Sequence, residues 1–172
     1  MHYQFCPLCG SRLSGKPAGD DGEVPFCDRC GKYWFDAFSS CVIVLVYNEL
    51  DEVVLSKQAY LSDRYESFTS GYITPGETAE STAIREVKEE LGLDVQKLDY
   101  TGTYWFAKRE QLMHGFAAYA PKGELVLSQE LDSAKWVPAQ DAPKTMFPDK
   151  PGNAAFAVYR SYLKLRGLAA RR

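Results

Sequence analysis

The chain has 172 residues, a length that suits one catalytic domain with a small appendage. Hydrophobic residues make up 45% of it and charged residues 25%, which excludes a largely disordered chain, and the net charge of −3 disfavours binding nucleic acid through a generally basic surface. The longest apolar run, residues 42–47, is far shorter than the roughly 20 residues of a membrane span, and the N-terminus lacks the features of a signal peptide. We therefore expect a soluble, cytoplasmic protein without a membrane partner.

Residues 1–36 contain two Cys-x-x-Cys pairs, each followed by glycine and separated by residues 10–26: Cys6, Cys9, Cys27 and Cys30. This spacing is typical of a zinc ribbon, in which four thiolates hold a structural Zn²⁺ ion. A redox-active cysteine pair is the alternative, but two pairs at ribbon spacing favour zinc. The segment has too few aliphatic residues for its own core, so the metal would stabilise its fold. Its basic and acidic residues balance, so nucleic acid is not an expected partner.

The rest of the chain, residues 37–172, has the pattern of a mixed α/β domain. The β-branched apolar run over residues 41–47 predicts a strand that is buried on both faces. Four prolines predict an irregular loop over residues 138–152. The remaining patterns predict further strands over 52–58, 68–73, 95–106, 112–119 and 134–137, and helices over 78–91 and 153–166.

The first helix carries several glutamates on one side. At about 100° per residue, Glu86, Glu89 and Glu90 fall within an arc of roughly 100°, and the apolar positions Ala83, Val87 and Leu91 fall on the opposite side. Like charges at this spacing repel one another, so the cluster needs positive charge nearby. Arg85 supplies part of it, and hard cations such as Mg²⁺ or Mn²⁺ would supply the rest. The alternative is a solvated amphipathic helix that is rich in glutamate.

Residues 71–93 match the Nudix box, Gly-x5-Glu-x7-Arg-Glu-U-x-Glu-Glu-x-Gly-U with U apolar, at every fixed position. The chain therefore resembles the Nudix hydrolases. The resemblance implies an α/β fold, an α/β/α sandwich with a mixed sheet, here preceded by the small zinc ribbon. It also implies hydrolysis of a nucleoside diphosphate linked to another moiety, by water attack at phosphorus with Mg²⁺ or Mn²⁺. A homodimer is expected by analogy, because Nudix enzymes often pair.

The resemblance assigns roles to the residues of the box. Glu86 and Glu90 would be metal ligands, and Glu89 would be a further ligand or act through bound water. Arg85 would orient these glutamates. The supporting positions are Glu77, which would hold Arg85, Gly76, which would shape the loop, and Ser70 and Gly71, whose main-chain carbonyls would complete the coordination.

A second acidic group is expected outside the box. Glu130 lies six residues before Trp136 and fits the distal glutamate of the family, with Glu124 as a weaker candidate. The alternative is that Glu130 is simply an exposed loop acid. Whichever carboxylate is free, Glu89, Glu90 or Glu130, could accept the proton of the attacking water.

A zinc ribbon ahead of a Nudix box resembles the NADH pyrophosphatase branch of the family, here without the extra N-terminal domain of that branch. This implies a small-molecule substrate of the dinucleotide-pyrophosphate type, such as NAD(H), ADP-ribose or FAD. After the box, however, the chain departs from the branch: Ser-Gln-Pro-Trp-Pro-Phe-Pro is replaced by residues 103–109. Two alternatives therefore stay open: a nucleoside triphosphate pyrophosphatase that removes damaged nucleotides, and a non-catalytic Nudix-derived module that binds a nucleotide or RNA.

The segment after the box also contains candidate substrate contacts. Trp105 and Phe106 could stack on a base, and Lys108 or Arg109 could contact phosphate. The alternative for the two aromatic residues is a strand end that packs into the core.

Overall fold

The computed structural model of the chain describes residues 3–58 and 61–168. These residues belong to two compact units, Met1–Phe38 and Ser39–Arg172. Among the described residues, no helix is both long enough and apolar enough to cross a membrane.

The first unit is a three-stranded antiparallel sheet of β1 (Ser14–Pro17), β2 (Glu23–Cys27) and β3 (Lys32–Tyr33), in the order β1-β2-β3. A turn encloses each cysteine pair. The amide of Gly10 donates to the Cys6 carbonyl over 2.9 Å, and that of Gly31 donates to the Cys27 carbonyl over 2.8 Å. Both glycines have φ near +70°, which disfavours other residues, so they explain why each cysteine pair ends in glycine.

The second unit is built on one mixed sheet with a helix on each face. Its strands run in the order β7-β8-β4-β5-β9, with β6 also paired to β4. The β4–β8 pair is parallel and the other pairs are antiparallel. The elements are β4 (Ser39–Tyr47), β5 (Glu52–Lys57), β6 (Thr69–Tyr72), α1 (Ala79–Leu91), β7 (Lys97–Phe106), β8 (Gln111–Tyr119), β9 (Ser133–Pro138) and α2 (Ala154–Arg166).

Strand β4 explains the three-layer arrangement. Its residues 42, 44 and 46 pack in the same cluster as the apolar side of α1, and its residues 41, 43, 45 and 47 pack in the cluster that contains α2. Because both faces of β4 are covered, the strand is continuously apolar, as predicted. The α/β/α sandwich with a mixed sheet expected from the sequence is confirmed.

Helix α1 has well-defined ends. The Thr78 side chain accepts a hydrogen bond from the Ser81 amide, the Ser81 side chain accepts one from the Thr78 amide, and Gly92 ends the helix with φ of 72°. Ala83, Val87 and Leu91 are all fully buried, as the helical spacing predicts. The glutamates do not lie opposite this apolar stripe as expected: Glu90 is buried beside it, and Glu86 faces Gly71 of β6.

The predicted strands and helices are present, with ends within two residues of those expected. One segment differs from expectation. The proline-rich stretch predicted to be irregular contains a 3₁₀ helix, Ala139–Lys144. Ala139 and Ala142, three residues apart, lie on the same side of this helix and are buried, so two small apolar residues anchor the segment despite its prolines.

Candidate active site and cysteine cluster

The loop between β6 and α1 is closed by Glu77. The Thr74 amide and hydroxyl both donate to Glu77 Oε2, over 3.0 and 2.8 Å. Gly76 lies between them with φ of +97°, a backbone conformation that glycine adopts without strain. Glu77 therefore fixes the shape of the loop that leads into the helix.

Arg85 joins this loop to the glutamates of α1. Its Nε and Nη2 donate to the two oxygens of Glu77 over 2.6 and 3.0 Å, and its Nη1 donates to Glu86 over 2.8 Å and Glu89 over 2.9 Å. Its Nη2 also donates to the Tyr72 carbonyl at the end of β6. The guanidinium, with support from Thr74, holds the pKa of the Glu77 carboxyl far below its usual range. Glu77 is thus an ionised anchor for Arg85.

Glu90 is the most buried of the acidic residues, with 2% of its surface exposed. Its Oε1 accepts a hydrogen bond of 3.1 Å from Gln58 Nε2, whereas its Oε2 is buried without a partner among the described residues. Burial, and secondarily the charge of Glu86, raises the pKa of Glu90 to about 7, and the side chains of Thr69 and Gln58 oppose this increase. Burial also raises the pKa of Glu86, although Arg85 opposes the change. Both carboxylates would be stabilised in their charged form by a cation.

Gly71 leaves the space that Glu86 occupies. A Cβ added to Gly71 would lie 1.9 Å from Glu86 Oε1 and 2.0 Å from its Cδ, far inside any allowed contact. Gly71 pairs with Val42 of β4, so its backbone cannot move away without breaking the sheet. The carboxylate of Glu86 therefore lies directly against the backbone of β6.

The loop after β8 brings a fourth glutamate to the same place. The amides of Val126 and Ser128 donate to the carbonyls of Leu91 and Glu90, which ties the loop to the end of α1. The amide of Glu130 then donates to the Ser128 hydroxyl over 3.2 Å. Glu130 consequently reaches the cavity beside α1, whereas Glu124 does not line it.

These elements enclose a cavity of about 470 Å³. Of the residues proposed from the sequence, it is lined by Ser70, Gly71, Arg85, Glu86, Glu89, Glu90, Glu130 and Arg109. We call it the acidic cavity. The carboxylates surround it without meeting at one point: among residues 3–58 and 61–168, the four cysteines alone bring three or more candidate ligand atoms of His, Cys, Asp or Glu within 4.8 Å of one another.

The cysteine cluster has the dimensions of a tetrahedral metal site. The Sγ atoms of Cys6 and Cys30 are 3.9 Å apart, and those of Cys9 and Cys27 are 3.6 Å apart. Four Zn–S bonds of about 2.3 Å in tetrahedral geometry require sulfur separations of about 3.8 Å. A disulfide would need about 2.05 Å. Hydrogen bonding with Ser11 lowers the pKa of Cys9 to about 6, whereas burial raises the pKa of Cys27 and the contact with Cys9 raises that of Cys30 to about 12. A bound metal would favour the thiolate form of all four cysteines.

Comparison with known proteins identifies the family. Residues 38–156 match the family model described as the NUDIX domain. The chain belongs to the NUDIX domain family. The membership expected from the box is therefore confirmed.

Individual relatives agree with this family. The chain is 35% identical over 136 residues to the NAD-capped RNA hydrolase NudC of Pseudomonas aeruginosa, an alignment that covers 78% of this chain and 48% of that protein. The chain thus spans about half the length of the curated relatives it matches.

Solved structures show the same fold. A NUDIX hydrolase from Nitrosomonas europaea superposes with a TM-score of 0.74 at 19% identity, covering 99% of this chain and 97% of that one. The NUDIX domain of Shewanella oneidensis NrtR, complexed with ADP ribose, superposes with a TM-score of 0.64 at 14% identity, covering 82% of this chain and 94% of that one.

The four residues proposed for substrate binding do not lie together at one site of this Nudix chain. Arg109 lines the acidic cavity, whereas Trp105 lines a second cavity of about 570 Å³ beside the N-terminus of α2. Phe106 is partly buried against the core on the α2 side of the sheet, and Lys108 lines neither cavity. Trp105 and Phe106 thus both lie near α2, and neither lines the acidic cavity.

The motif does not identify Gln58, which contacts Glu90. Gln58 follows β5 and lies 32 residues before Glu90 in the chain. A glutamine that directly follows an apolar strand is the one feature of the sequence that could have pointed to this residue.

Proposed function

We propose that this chain is a Nudix pyrophosphohydrolase that uses a divalent cation and water to split a nucleoside diphosphate linked to another moiety. The observation that carries the proposal is the buried Glu90 Oε2, which has no partner among the described residues and belongs to a cavity surrounded by the glutamates of the Nudix box. A buried, unpartnered carboxylate oxygen is costly unless a ligand binds to it.

The donor set suits Mg²⁺ or Mn²⁺. Carboxylates and main-chain carbonyls are the hard oxygen ligands that these ions prefer, and we propose as ligands Glu86, Glu89, Glu90, Glu130 and the carbonyls of Ser70 or Gly71. A cation bound there neutralises charge on the pyrophosphate oxygens and lowers the pKa of the attacking water. The cavity is lined by four glutamates, which outnumber the sulfur groups of Cys41 and Met113 in the same lining, and this predominance of carboxylates favours these hard ions over zinc.

The remaining residues would orient the ligands and accept the proton. Arg85, held by Glu77, fixes Glu86 and Glu89 from one side. Glu89, Glu90 or Glu130 accepts the proton released as water attacks phosphorus, and the bridging P–O bond breaks to leave two phosphate monoesters. Arg109 lines the same cavity, so we propose that its guanidinium binds a substrate phosphate.

For the substrate we propose a dinucleotide pyrophosphate of the NAD(H) type. Similarity to NAD-capped RNA hydrolases supports a nicotinamide dinucleotide over ADP-ribose or FAD, either free or at the 5′ end of an RNA. We also propose that residues 1–36 are a zinc ribbon with Zn²⁺ on Cys6, Cys9, Cys27 and Cys30, and that residues 37–172 are the hydrolase domain. The homodimer stays a prediction.

One panel of substrates tests this proposal. The full chain is incubated with Mg²⁺ or Mn²⁺ and NADH, ADP-ribose, FAD, NAD-capped RNA or deoxynucleoside triphosphates, and the products are separated by chromatography. We expect NADH or the capped RNA to be cleaved at the pyrophosphate. Preferential cleavage of triphosphates would favour a nucleotide-removing pyrophosphatase, and nucleotide binding without turnover would favour a binding module.

A further inference from the structure

Gln58 holds one oxygen of Glu90 from outside the Nudix box. Both side chains are buried, with 6% and 2% of their surfaces exposed, and the Nε2–Oε1 distance is 3.1 Å. The Gln58 amide nitrogen donates and the Glu90 oxygen accepts, which suits the ionised carboxylate that a cation would bind, since this form only accepts hydrogen bonds. The glutamine backbone is also held, because its carbonyl accepts hydrogen bonds from the amides of Leu61 and Ser62.

The contact gives the two oxygens of Glu90 different surroundings. Oε1 is bound to Gln58, and Oε2 has no partner in the described part of the chain. A carboxylate with one oxygen anchored cannot rotate freely about its terminal bond. Its second oxygen is therefore presented in one orientation, beside a cavity that Glu86, Glu89 and Glu130 also line.

The neutrality of the donor also matters. A lysine or arginine at position 58 would donate the same hydrogen bond, but its positive charge would cancel the charge of Glu90 and compete with a cation. An amide orients the carboxylate and leaves its negative charge available. Arg85 forms ion pairs with Glu86 and Glu89, whereas Glu90 has no ion pair among the described residues.

We propose that Gln58 is a positioning residue for cation binding, whose side-chain amide fixes the Glu90 carboxylate so that Oε2 is presented to a divalent cation in the acidic cavity. The inference rests on the proposed function, because it takes the acidic cavity to be the cation site. Partners that orient metal ligands commonly change metal affinity or activity by about 10- to 100-fold when they are removed.

The test measures Mn²⁺ binding to the full chain by the electron paramagnetic resonance signal of free Mn²⁺. Gln58→Met removes the donor at similar volume, and Gln58→Lys keeps a donor but adds charge. We expect both variants to raise the Mn²⁺ dissociation constant by about 10-fold or more. At saturating Mn²⁺ we expect Gln58→Met to lower kcat without changing KM for the nucleotide.

Ser56→Ala is the matched control. Ser56 lies two residues away on β5, is 4% exposed and donates a partly buried hydrogen bond of 3.3 Å to the Ser67 carbonyl rather than to Glu90. It should lose stability in urea unfolding but bind Mn²⁺ as the wild type does. If Gln58 only stabilises the fold, Gln58→Met should likewise lose stability and bind Mn²⁺ as the wild type does.

Each result decides between these roles. Wild-type Mn²⁺ affinity in Gln58→Met overturns the proposal, and so does restored affinity in Gln58→Lys or a wild-type chain that binds no Mn²⁺. If the wild type binds Mn²⁺ but hydrolyses no nucleotide, the proposed function fails, and the ratio of dissociation constants still decides the role of Gln58.

Discussion

Replacing Gly71 by alanine should displace Glu86 without unfolding the protein. The added methyl group would lie 1.9 Å from Glu86 Oε1, and Cβ contacts essentially never fall below 3.0 Å, so the carboxylate must move by at least about 1.1 Å. Gly71 is not at positive φ, so alanine itself fits the backbone. The end of the Glu86 side chain is flexible, so the displacement should cost activity more than stability.

The expected loss is about 100-fold in kcat, since a misplacement of about 1 Å in a catalytic constellation can have that effect. Steady-state hydrolysis of NADH at saturating Mg²⁺ measures it, with thermal unfolding to confirm the fold. Gly123→Ala is the matched control, because a Cβ there would meet its nearest atom, Leu93 Cδ2, at an ordinary 3.7 Å. If Gly71→Ala turned over at the rate of Gly123→Ala, Glu86 would not act where the structure places it.

Three further predictions address the carboxylates and the cysteines. Glu90→Gln should lower turnover by at least about 100-fold in a metal-saturated assay, the scale of a lost acid–base or metal contribution; near wild-type turnover would refute the role of Glu90. Because the folded pKa of Glu90 is about 7, above its ordinary 4.5, its contribution to stability is complete below pH 4.5 and is lost as the pH rises through 7. In urea titrations without divalent cations, the free energy of unfolding should therefore fall by about 2 to 3 kcal/mol more between pH 5 and pH 8 in the wild type than in Glu90→Gln. An equal fall in the two proteins would contradict the claim that folding buries the carboxylate of Glu90. Elemental analysis should find one zinc per chain in the wild type and in Cys41→Ala but none in Cys9→Ser, whereas zinc retained by Cys9→Ser would exclude the four-thiolate site.

Local sequence patterns predict the parts of this fold that depend on local physics. The continuous apolar run of β4 reflects burial on both faces, and the helical period of α1 places Ala83, Val87 and Leu91 on one buried stripe. The Thr78 cap and the Gly92 end are equally local, so the bounds of α1 agree with expectation to one residue. The Nudix box lies within one such segment, which is why most of the acidic cavity could be proposed from sequence.

Contacts between distant segments could not be predicted in this way. Gln58 meets Glu90 only because the sheet brings the end of β5 beside α1. Glu130 could be proposed only from the resemblance to the family, because it reaches the cavity through backbone hydrogen bonds from Val126 and Ser128 to the end of α1, and no residue type in the loop specifies them. The placement of Arg109 and Trp105 in different cavities likewise depends on the course of the chain at the end of β7, and the local sequence does not reveal this course.

The most direct test is to locate the cation itself. Crystals of the full chain soaked in MnCl₂ and measured at the manganese absorption edge should show an anomalous peak in the acidic cavity, within about 2.5 Å of oxygens of Glu86 and Glu90. The peak should vanish in Glu90→Gln crystals soaked in the same way. A wild-type cavity without a manganese peak, in crystals that retain the α1 and β6 geometry described here, would contradict the claim that these glutamates gather a divalent cation for pyrophosphate hydrolysis.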